Sequence, residues 1–324
     1  MRGLVRLIVG GAVAAATCTG SSACAQDYPA RPIRMIVGVP PGGTTDIFGR
    51  MVAAKLGERL GRQIVVDNRP GASGIIAIDL VAKSQPDGYT LLIAGSSITA
   101  VGSLYSKVPF DVARDLVPVA FIATTPFVLV VHPGMPVKSV SEFIAYAKER
   151  PGGLNYAGST PGTVQHLSGE LLKRITGINM VYVPYKGTGA VMPDLLAGRL
   201  QAAIENVVTM RPHVRSGALR GLGVTSPTRS SAMPELPTIA ESGVPGFQTL
   251  GRFTVFATAK TPRQIVYRVN AEIVALMGEP EVRERITAQG AEPVTAQPGA
   301  VREEVLREIA QWGKVIREAG LKVE

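Results

Sequence analysis

The sequence predicts two α/β domains that lie side by side and form a cleft between them. Apolar strand-like runs alternate with helical patterns in two groups, at residues 33–97 and 140–224. The segment 108–134 between the groups has two proline-bounded extended runs, and a β-like run at 249–257 leads the chain back. Because sequential elements are usually neighbours in space, two crossings between two α/β groups indicate two domains linked by crossing strands.

The first group contains three predicted strands and two predicted helices. The spacing of apolar residues predicts strands at 33–39, 63–66 and 90–94 and helices at 46–60 and 75–83. Gly61 ends the first helix, and a turn at 86–89 precedes the last strand. The strand–helix–strand succession predicts a parallel βαβ unit.

The second group and the C-terminal region continue the alternation. The predicted strands are 154–156, 180–183, 200–205 and 219–224, and the predicted helices are 140–148, 163–176, 191–197 and a short one that ends near residue 216. After the run at 249–257, the sequence predicts three more helices at 262–277, 281–289 and 300–319. The second group therefore has the same α/β character as the first.

Four short tips rich in Gly, Ser and Thr come just before helices, at 42–46, 71–74, 95–97 and 158–163. Glycine lets the backbone approach a ligand closely, and the first N–H groups of a helix have no partner within the helix. Such a tip favours an anionic group, although each tip alone is also compatible with a plain turn. Two or more tips that face one another across a cleft fit a carboxylate held without a paired arginine and without catalysis.

Residues 1–25 have the pattern of a secretory signal peptide. Arg2 and Arg6 precede an apolar stretch, and we expect cleavage after Ala25. Both cysteines of the chain, Cys18 and Cys24, lie in this segment, so the mature chain is predicted to have no disulfide and no thiolate metal site. Lipidation at Cys24 is the alternative to secretion as a freely soluble protein.

Residues that support catalysis or metal binding are scarce. The sequence has no Walker loop, no complete G-x-G-x-x-G, no H-E-x-x-H helix and no G-x-S-x-G elbow. No two of the three histidines have metal-ligand spacing, so we expect no metal and no cofactor. His166, near Ser159 and Thr160, has two interpretations: the base of a hydrolase, or a side chain that braces its loop by hydrogen bonds.

The charge pattern indicates a solvated surface. The net charge is +9, but basic residues alternate with acidic ones and no run of five like charges occurs. We therefore expect no nucleic-acid partner. At 324 residues the chain is long enough for about two domains with their own cores.

Seven strings at collinear spacing over most of residues 28–226 resemble one protein family. They are YPARPIRMIVGVPPGGTTDIFGR, VVDNRPGASG, PDGYTLL, PFDVARDLVPVAFI, AGSTPGTVQHLSGELL, VPYKGTGAVMPDLLAGRLQAAIEN and PHVRSGALRGLGVTS. With them the chain resembles the Bug-type (TctC-like) periplasmic solute-binding proteins of tripartite tricarboxylate transporters. The C-terminal third matches this family more loosely.

The resemblance implies a type II periplasmic-binding-protein fold, in which two α/β lobes are joined by two crossing strands and a hinge closes over the ligand. The expected division assigns residues 26–126 to the first lobe, 127–248 to the second and 249–324 to the first again. The chain is then a monomeric receptor in the periplasm and not an enzyme. Its expected partners are a small carboxylate (organic acid, dicarboxylate or amino acid) and the membrane permease subunits that receive it.

Two other functions stay open at this point. The same carboxylate receptor could act as the sensor component of a signalling partner instead of serving a permease. A secreted hydrolase that uses His166 with a nearby hydroxyl is the alternative from a different class of protein.

The resemblance also implies which residues bind the ligand. In this family a P-P-G-G-x-x-D loop and a second-lobe loop that leads to a histidine hold one carboxylate, partly through ordered water. The matching positions are Pro41, Gly42, Gly43, Thr44, Thr45 and Asp46 in the first loop, and Gly158, Ser159, Thr160, Gly162, Thr163 and His166 in the second. Other cleft-facing strings match at Ser96, Ser97, Tyr185, Lys186, Gly187, Glu205 and Asn206.

One departure from the family pattern concerns Arg252, which lies near the second crossing where an aromatic residue is usual. If Arg252 faces the cleft, it could pair with a second, distal carboxylate and favour a dicarboxylate. If it faces outward, it is a surface charge, which is the interpretation we prefer. Lys260 stands where the family usually has glycine.

Overall fold

A computed structural model describes residues 28–158, 160–185 and 188–322 of the chain. The predicted signal peptide, residues 1–25 with both cysteines, lies outside the described residues. Within the described ranges, no helix is long and apolar enough to cross a membrane.

The chain alternates between strands and helices throughout. It begins with β1 (Ile33–Val37), α1 (Thr44–Leu60), β2 (Ile64–Asn68), α2 (Ile75–Ala82), β3 (Thr90–Gly95), α3 (Ile98–Leu104), α4 (Val112–Asp115) and β4 (Leu116–Thr125). It continues with β5 (Phe127–Val131), α5 (Val140–Lys148), β6 (Asn155–Ala157), α6 (Val164–Thr176), β7 (Val181–Tyr182), α7 (Thr188–Leu196), β8 (Ala202–Asn206), α8 (Val207–Arg215) and β9 (Arg220–Val224). It ends with β10 (Gly251–Thr258), α9 (Arg263–Leu276), α10 (Pro280–Ala288), β11 (Glu292–Pro293) and α11 (Pro298–Glu318).

The described strands form two sheets, one in each lobe. The first has the order β11-β4-β10-β3-β1-β2, and the second has the order β7-β6-β8-β5-β9. In the first sheet β1 is parallel to β2 and β3, while β10 is antiparallel to β3 and β4. The chain leaves the first sheet after β4 and re-enters it at β10, between β3 and β4. This topology confirms the predicted two-lobed α/β fold.

The first sheet contains both parallel and antiparallel pairs, and helices cover both of its faces. One face packs against α1 and α9 through a cluster that includes Phe48, Leu56 and Ile273. The other face packs against α2 and α3 through a cluster that includes Ile78 and Val101. The carboxyl ends of the parallel strands β1 and β3 lead into the loops before α1 and α3 at one edge of the sheet, where ligands of α/β proteins usually bind.

The C-terminal helix α11 contacts the cores of both lobes. Val301 and Val305, in its first half, belong to the core between the first sheet and α2 and α3. Trp312, Val315 and Ile316, in its second half, belong to the core of the second lobe. The expected assignment of residues 249–324 to the first lobe did not anticipate this second set of contacts. The helix has 21 residues and is therefore about 31 Å long, enough to reach both lobes.

One part of the region predicted to be wholly extended is helical. The segment 108–134 contains the single-turn helix α4 before its two strands. The cause is a local cap, because the Asp111 carboxylate accepts hydrogen bonds from the N–H groups of Ala113 and Arg114. A second difference is α7, which begins three residues before its predicted start.

Candidate functional site

The first glycine-rich loop lies between β1 and α1. Gly42 has a φ of +90°, in the left-handed region that glycine adopts readily, and Gly43 is the extended N-cap residue of α1. Gly43 offers no side chain to cap the helix, so the first N–H groups of α1 have no side-chain partner at the N-cap. The positive end of the α1 dipole therefore faces outward from this loop.

Asp46 shapes this loop from the inside. Its Oδ2 accepts hydrogen bonds from the Gly42 N–H at 2.9 Å and from Arg50 Nε at 3.0 Å, and its Oδ1 accepts one from Asn68 Nδ2 at 2.8 Å. Burial of Asp46 opposes its ionisation, but hydrogen bonds from Arg50, Gly42 and Asn68 outweigh this effect and hold the pKa of the carboxyl below its usual value. The carboxylate is thus charged and fully engaged within the protein.

The second glycine-rich loop, between β6 and α6, repeats this geometry. Gly162 has a φ of +81°, and Thr163 is the extended N-cap residue of α6. Its side chain makes no cap hydrogen bond with the helix; the Thr163 hydroxyl donates instead to the carbonyls of Gly158 and Thr160. A Cβ on Gly158 would lie 2.7 Å from the backbone of Gln165 and His166, so only glycine fits there.

His166 braces the second loop in the position that Asp46 occupies in the first. Its Nδ1 accepts a hydrogen bond from the Gly162 N–H at 3.0 Å, and its ring packs on Tyr182 with centroids 3.8 Å apart. Burial lowers the pKa of His166 to about 4, and the nearby Glu170 carboxylate opposes this shift only in part. The imidazole is therefore neutral near pH 7, as an Nδ1 acceptor must be.

The two loops meet at a cavity of about 360 Å³ between the lobes. Five of the predicted ligand-binding residues line it: Thr45, Ser97, Thr160, Gly162 and Thr163. No Arg, Lys, His, Asp or Glu is among the described residues of its lining. Neither the Thr45 nor the Ser97 hydroxyl makes a hydrogen bond to another described residue, so both are available to a ligand.

The contact between Gly162 and α3 closes one side of the cavity. A Cβ on Gly162 would lie only 2.2 Å from Leu104 Cδ2. Gly162 belongs to the second lobe and Leu104 to the first, and both line the cavity. The small size of glycine therefore lets the two lobes approach each other at this point.

The other predicted ligand-binding residues do not line the cavity in the described part of the chain. They are Pro41, Gly42, Gly43, Thr44, Asp46, Ser96, Gly158, His166, Tyr185, Glu205 and Asn206. Ser159, Lys186 and Gly187 lie outside the described residues. The preceding residue Pro40 lines the cavity in place of Pro41.

Three of these residues have structural contacts instead. The buried Ser96 hydroxyl accepts a hydrogen bond from the Arg252 N–H and so joins the end of β3 to β10. The Tyr185 hydroxyl donates to Asp194, and Asn206 Oδ1 accepts from the Val208 N–H as the N-cap of α8.

Arg252 is neither a surface charge nor a residue of this cavity, so the preferred interpretation of it was wrong. Arg252 is only 8% exposed, and its guanidinium forms ion pairs with Glu304 and Glu308 on α11. Burial raises the pKa of Glu308, and Arg252 opposes that shift. Lys260 has a φ of +68°, a left-handed conformation that glycine adopts more readily than other residues.

The nucleophile–base interpretation of His166 finds no support among the described residues. Its Nδ1 is occupied by the Gly162 N–H. Its Nε2 is buried and has no hydrogen-bond partner in the described part of the chain. No cluster of three or more potential metal ligands occurs within the described ranges.

Sequence reasoning missed the remaining wall of the cavity, which is apolar. Ile78 of α2 and Ile98, Val101 and Leu104 of α3 line it together with Tyr105. The glycine-rich tip 71–74 was a signal, since Gly71, Ser73 and Gly74 also line the cavity. The helical residues carried no such signal, because apolar helix faces usually indicate core packing.

An uncharged cavity between two α/β lobes, with a helix N-terminus from each lobe beside it, defines the class of two-lobed solute-binding proteins. The family model described as tripartite tricarboxylate transporter family receptor (TctC) matches residues 48–321. The chain belongs to this family, which confirms the predicted resemblance.

Individual relatives agree with this assignment. Protein BugT of Bordetella pertussis is 43% identical over 302 residues, which cover 93% of each chain. The structure of R. palustris Rpa4515 with adipate is 40% identical with a TM-score of 0.74, and the match covers 92% of this chain and 100% of that one. MatC from Rhodopseudomonas palustris with bound malate is 31% identical with a TM-score of 0.71, covering 89% of this chain and 100% of that one. With the two sheets, these similarities confirm the fold of a periplasmic binding protein.

Proposed function

We propose that the chain is a periplasmic receptor that captures a small carboxylate in the cavity between its lobes. It delivers this ligand, an organic acid, dicarboxylate or amino acid, to the permease subunits of a tripartite tricarboxylate-type transporter. The observation that carries the proposal is the pair of helix N-termini, those of α1 and α6, that end at one uncharged cavity from opposite lobes.

The donors at this cavity match the needs of a carboxylate. Thr45, in the first turn of α1, and Thr163, the N-cap residue of α6, bring these helix N-termini to the cavity. Neither helix has a side-chain cap, and each N-terminus carries a partial positive charge of roughly half an elementary charge. The Thr45 and Ser97 hydroxyls add two further donors. An ionised carboxylate accepts about four hydrogen bonds, which these groups supply without a guanidinium.

Hinge closure follows from the division of these donors between the lobes. A ligand that contacts both α1 and α6 gains contacts only when the lobes are close together, and it therefore favours the closed state. The hinge lies between β4 and β5 and before β10, where the chain crosses between the sheets. The lobes comprise 26–126 with 249–324, and 127–248, with α11 bridging them.

Two relatives support the ligand class. Rpa4515 was solved with adipate and MatC with malate, and both ligands are carboxylates. The receptor acts as a monomer after removal of residues 1–25. The genes next to the one that encodes this chain distinguish the two possible partners, because they encode either permease subunits or a signalling protein.

A matched pair of threonine variants tests the site. Thr45 lines the cavity, whereas the adjacent Thr44 is exposed and does not. We expect Thr45→Val to weaken adipate binding at least about tenfold, because a hydrogen bond to a charged group contributes about 1.5–3 kcal/mol. Thr44→Val should change the affinity less than twofold. Titration calorimetry on refolded, ligand-free protein measures both.

The same titration defines failure of the proposal. Equal affinities for Thr45→Val and wild type would place the carboxylate elsewhere. If the wild-type protein binds no acid of a panel of organic acids, dicarboxylates and amino acids, the chain is not a carboxylate receptor.

A further inference from the structure

The two glycine-rich loops, residues 42–46 and 158–163, are called the donor loops below. The same cavity is also lined by apolar side chains from one face of the first sheet and the helices that cover it. This apolar part of the lining, called the α2–α3 wall below, consists of Ala77, Ile78, Leu92, Ile98, Val101 and Leu104. These side chains come from α2, β3 and α3, and each is at most 5% exposed. The part of a ligand that lies against this wall therefore contacts hydrocarbon side chains.

The two hydroxyls at this end of the lining bind each other. Ser73 Oγ and the Tyr105 hydroxyl are 2.5 Å apart, and both residues line the cavity. Residues 71–74 all have a positive φ, from +45° at Ala72 to +126° at Gly71, so this segment is held in a conformation that Ala72 and Ser73 rarely adopt. The Ser73–Tyr105 hydrogen bond fixes that segment against α3 and uses the proton of one of the two hydroxyls.

Charged side chains close to the donor loops are likewise engaged. Asp46 is bound by Arg50 and Asn68, and Arg252 is paired with Glu304 and Glu308. A hydroxyl on the part of a ligand that lies against Ala77, Ile78, Leu92, Ile98, Val101 and Leu104 would lose its water, and none of these six side chains could replace the lost hydrogen bond.

From this arrangement we propose that the receptor selects carboxylates with an apolar body, aliphatic or aromatic, and discriminates against hydroxylated acids. This inference rests on the proposed function, since it assigns the carboxylate to the donor loops and the body to the α2–α3 wall. The wall contributes affinity by excluding water from hydrocarbon, so affinity should rise with the length of the body.

A series of monocarboxylates tests the inference on refolded, ligand-free protein. Titration calorimetry with acetate, butyrate and hexanoate should show about a fourfold gain in affinity for each added methylene. Gluconate, which has the same six-carbon chain as hexanoate but carries hydroxyls, should bind at least about tenfold more weakly than hexanoate. Equal affinities along the series, or gluconate as tight as hexanoate, overturn the inference while the carboxylate site stands. Absence of binding by every carboxylate overturns the proposed function as well.

Two valine variants locate the effect in the protein. Val101 lines the cavity, whereas Val305 is a buried helical valine of the same core cluster that does not. Val101→Thr replaces a methyl group with a hydroxyl at nearly constant volume and should weaken hexanoate binding about fivefold and acetate binding less than twofold. Val305→Thr should leave both affinities unchanged. If both variants weaken hexanoate equally, or if neither does, the α2–α3 wall does not contact the ligand and the inference fails.

Discussion

The loops 42–46 and 162–166 have the same shape but are braced by different chemistry. In each, a glycine with a positive φ precedes an extended N-cap residue, with φ/ψ of −72°/157° at Gly43 and −72°/159° at Thr163. In each, the side chain of the third helical residue accepts a hydrogen bond from the glycine N–H. The acceptor is a carboxylate at Asp46 and a neutral imidazole at His166.

Each loop therefore needs a hydrogen-bond acceptor at the third helical residue, but this acceptor does not need to be charged. Asp46 has three donors around it and stays ionised. His166 has one donor on Nδ1 and is kept neutral by burial. The two loops should therefore respond differently to acid, to added volume and to removal of charge.

The largest expected difference between the two loops is in how their contributions to stability change at acidic pH. The pKa of His166 is about 4 in the folded protein and about 6.5 in the unfolded chain, so the unfolded chain binds more protons between these values. The contribution of His166 to stability is complete above about pH 6.5 and falls by about 3 kcal/mol as the pH drops to 4. Asp46, whose pKa is lowered, loses its contribution only as the pH falls below its ordinary value of about 4.

Urea unfolding at pH 7, 5.5 and 4.5 measures this effect. The His166→Asn variant keeps an acceptor near the Gly162 N–H but does not titrate, so its stability should be flatter over this range. His213→Asn on α8 is the control and should keep the wild-type slope. An unchanged slope in His166→Asn would contradict the assignment of this acid sensitivity to the second loop.

Added volume should separate the loops by about 2 kcal/mol. Gly42 and Gly162 have similar positive φ values, so Gly42→Ala and Gly162→Ala share a conformational penalty of about 1 kcal/mol. A Cβ at Gly42 meets nothing within 4 Å, but at Gly162 it meets Leu104 at 2.2 Å, and such overpacking costs about 1–3 kcal/mol. Thermal unfolding of both variants measures the difference. Equal losses of stability would show that the lobes do not touch at Gly162.

Removal of charge should have the smallest effect. Asp46→Asn retains an oxygen that can accept from the Gly42 N–H. Its amide N–H₂ group, however, replaces the oxygen that accepts from Asn68 Nδ2, so two donors then face each other. We expect a loss of about 1 kcal/mol in the free energy of unfolding, whereas Asp46→Ala should lose about 3 kcal/mol because buried donors are left without an acceptor. Urea unfolding at pH 7 compares them. Equal losses for both variants would mean that the charge, and not the acceptor, shapes the loop.

Local chemistry made much of the site predictable. The glycine-rich tips, the helices that follow them and the bracing interpretation of His166 depend on residues within a few positions of one another. Asp46 was predicted to lie at the loop, but its hydrogen bond to Asn68 joins residues 22 positions apart, so its bracing role required the fold.

Long-range packing decided the rest. Arg252 was predicted to be a surface charge because its partner Glu308 lies 56 positions away on α11, and nothing in the local sequence pairs them. The apolar wall was not predicted either, since a buried valine such as Val101 has the same pattern whether it faces a core or a cavity.

The sequence by itself determined the alternating α/β elements, the two crossings, the family and the loops that offer N–H groups to an anion. These depend on backbone preferences, helix ends and collinear motifs, which are properties of short segments. Only the tertiary structure decided which side chains line the cavity, that α11 joins both lobes, and that Arg252 is buried. These depend on contacts between distant segments, whose geometry exists only once the two sheets have packed.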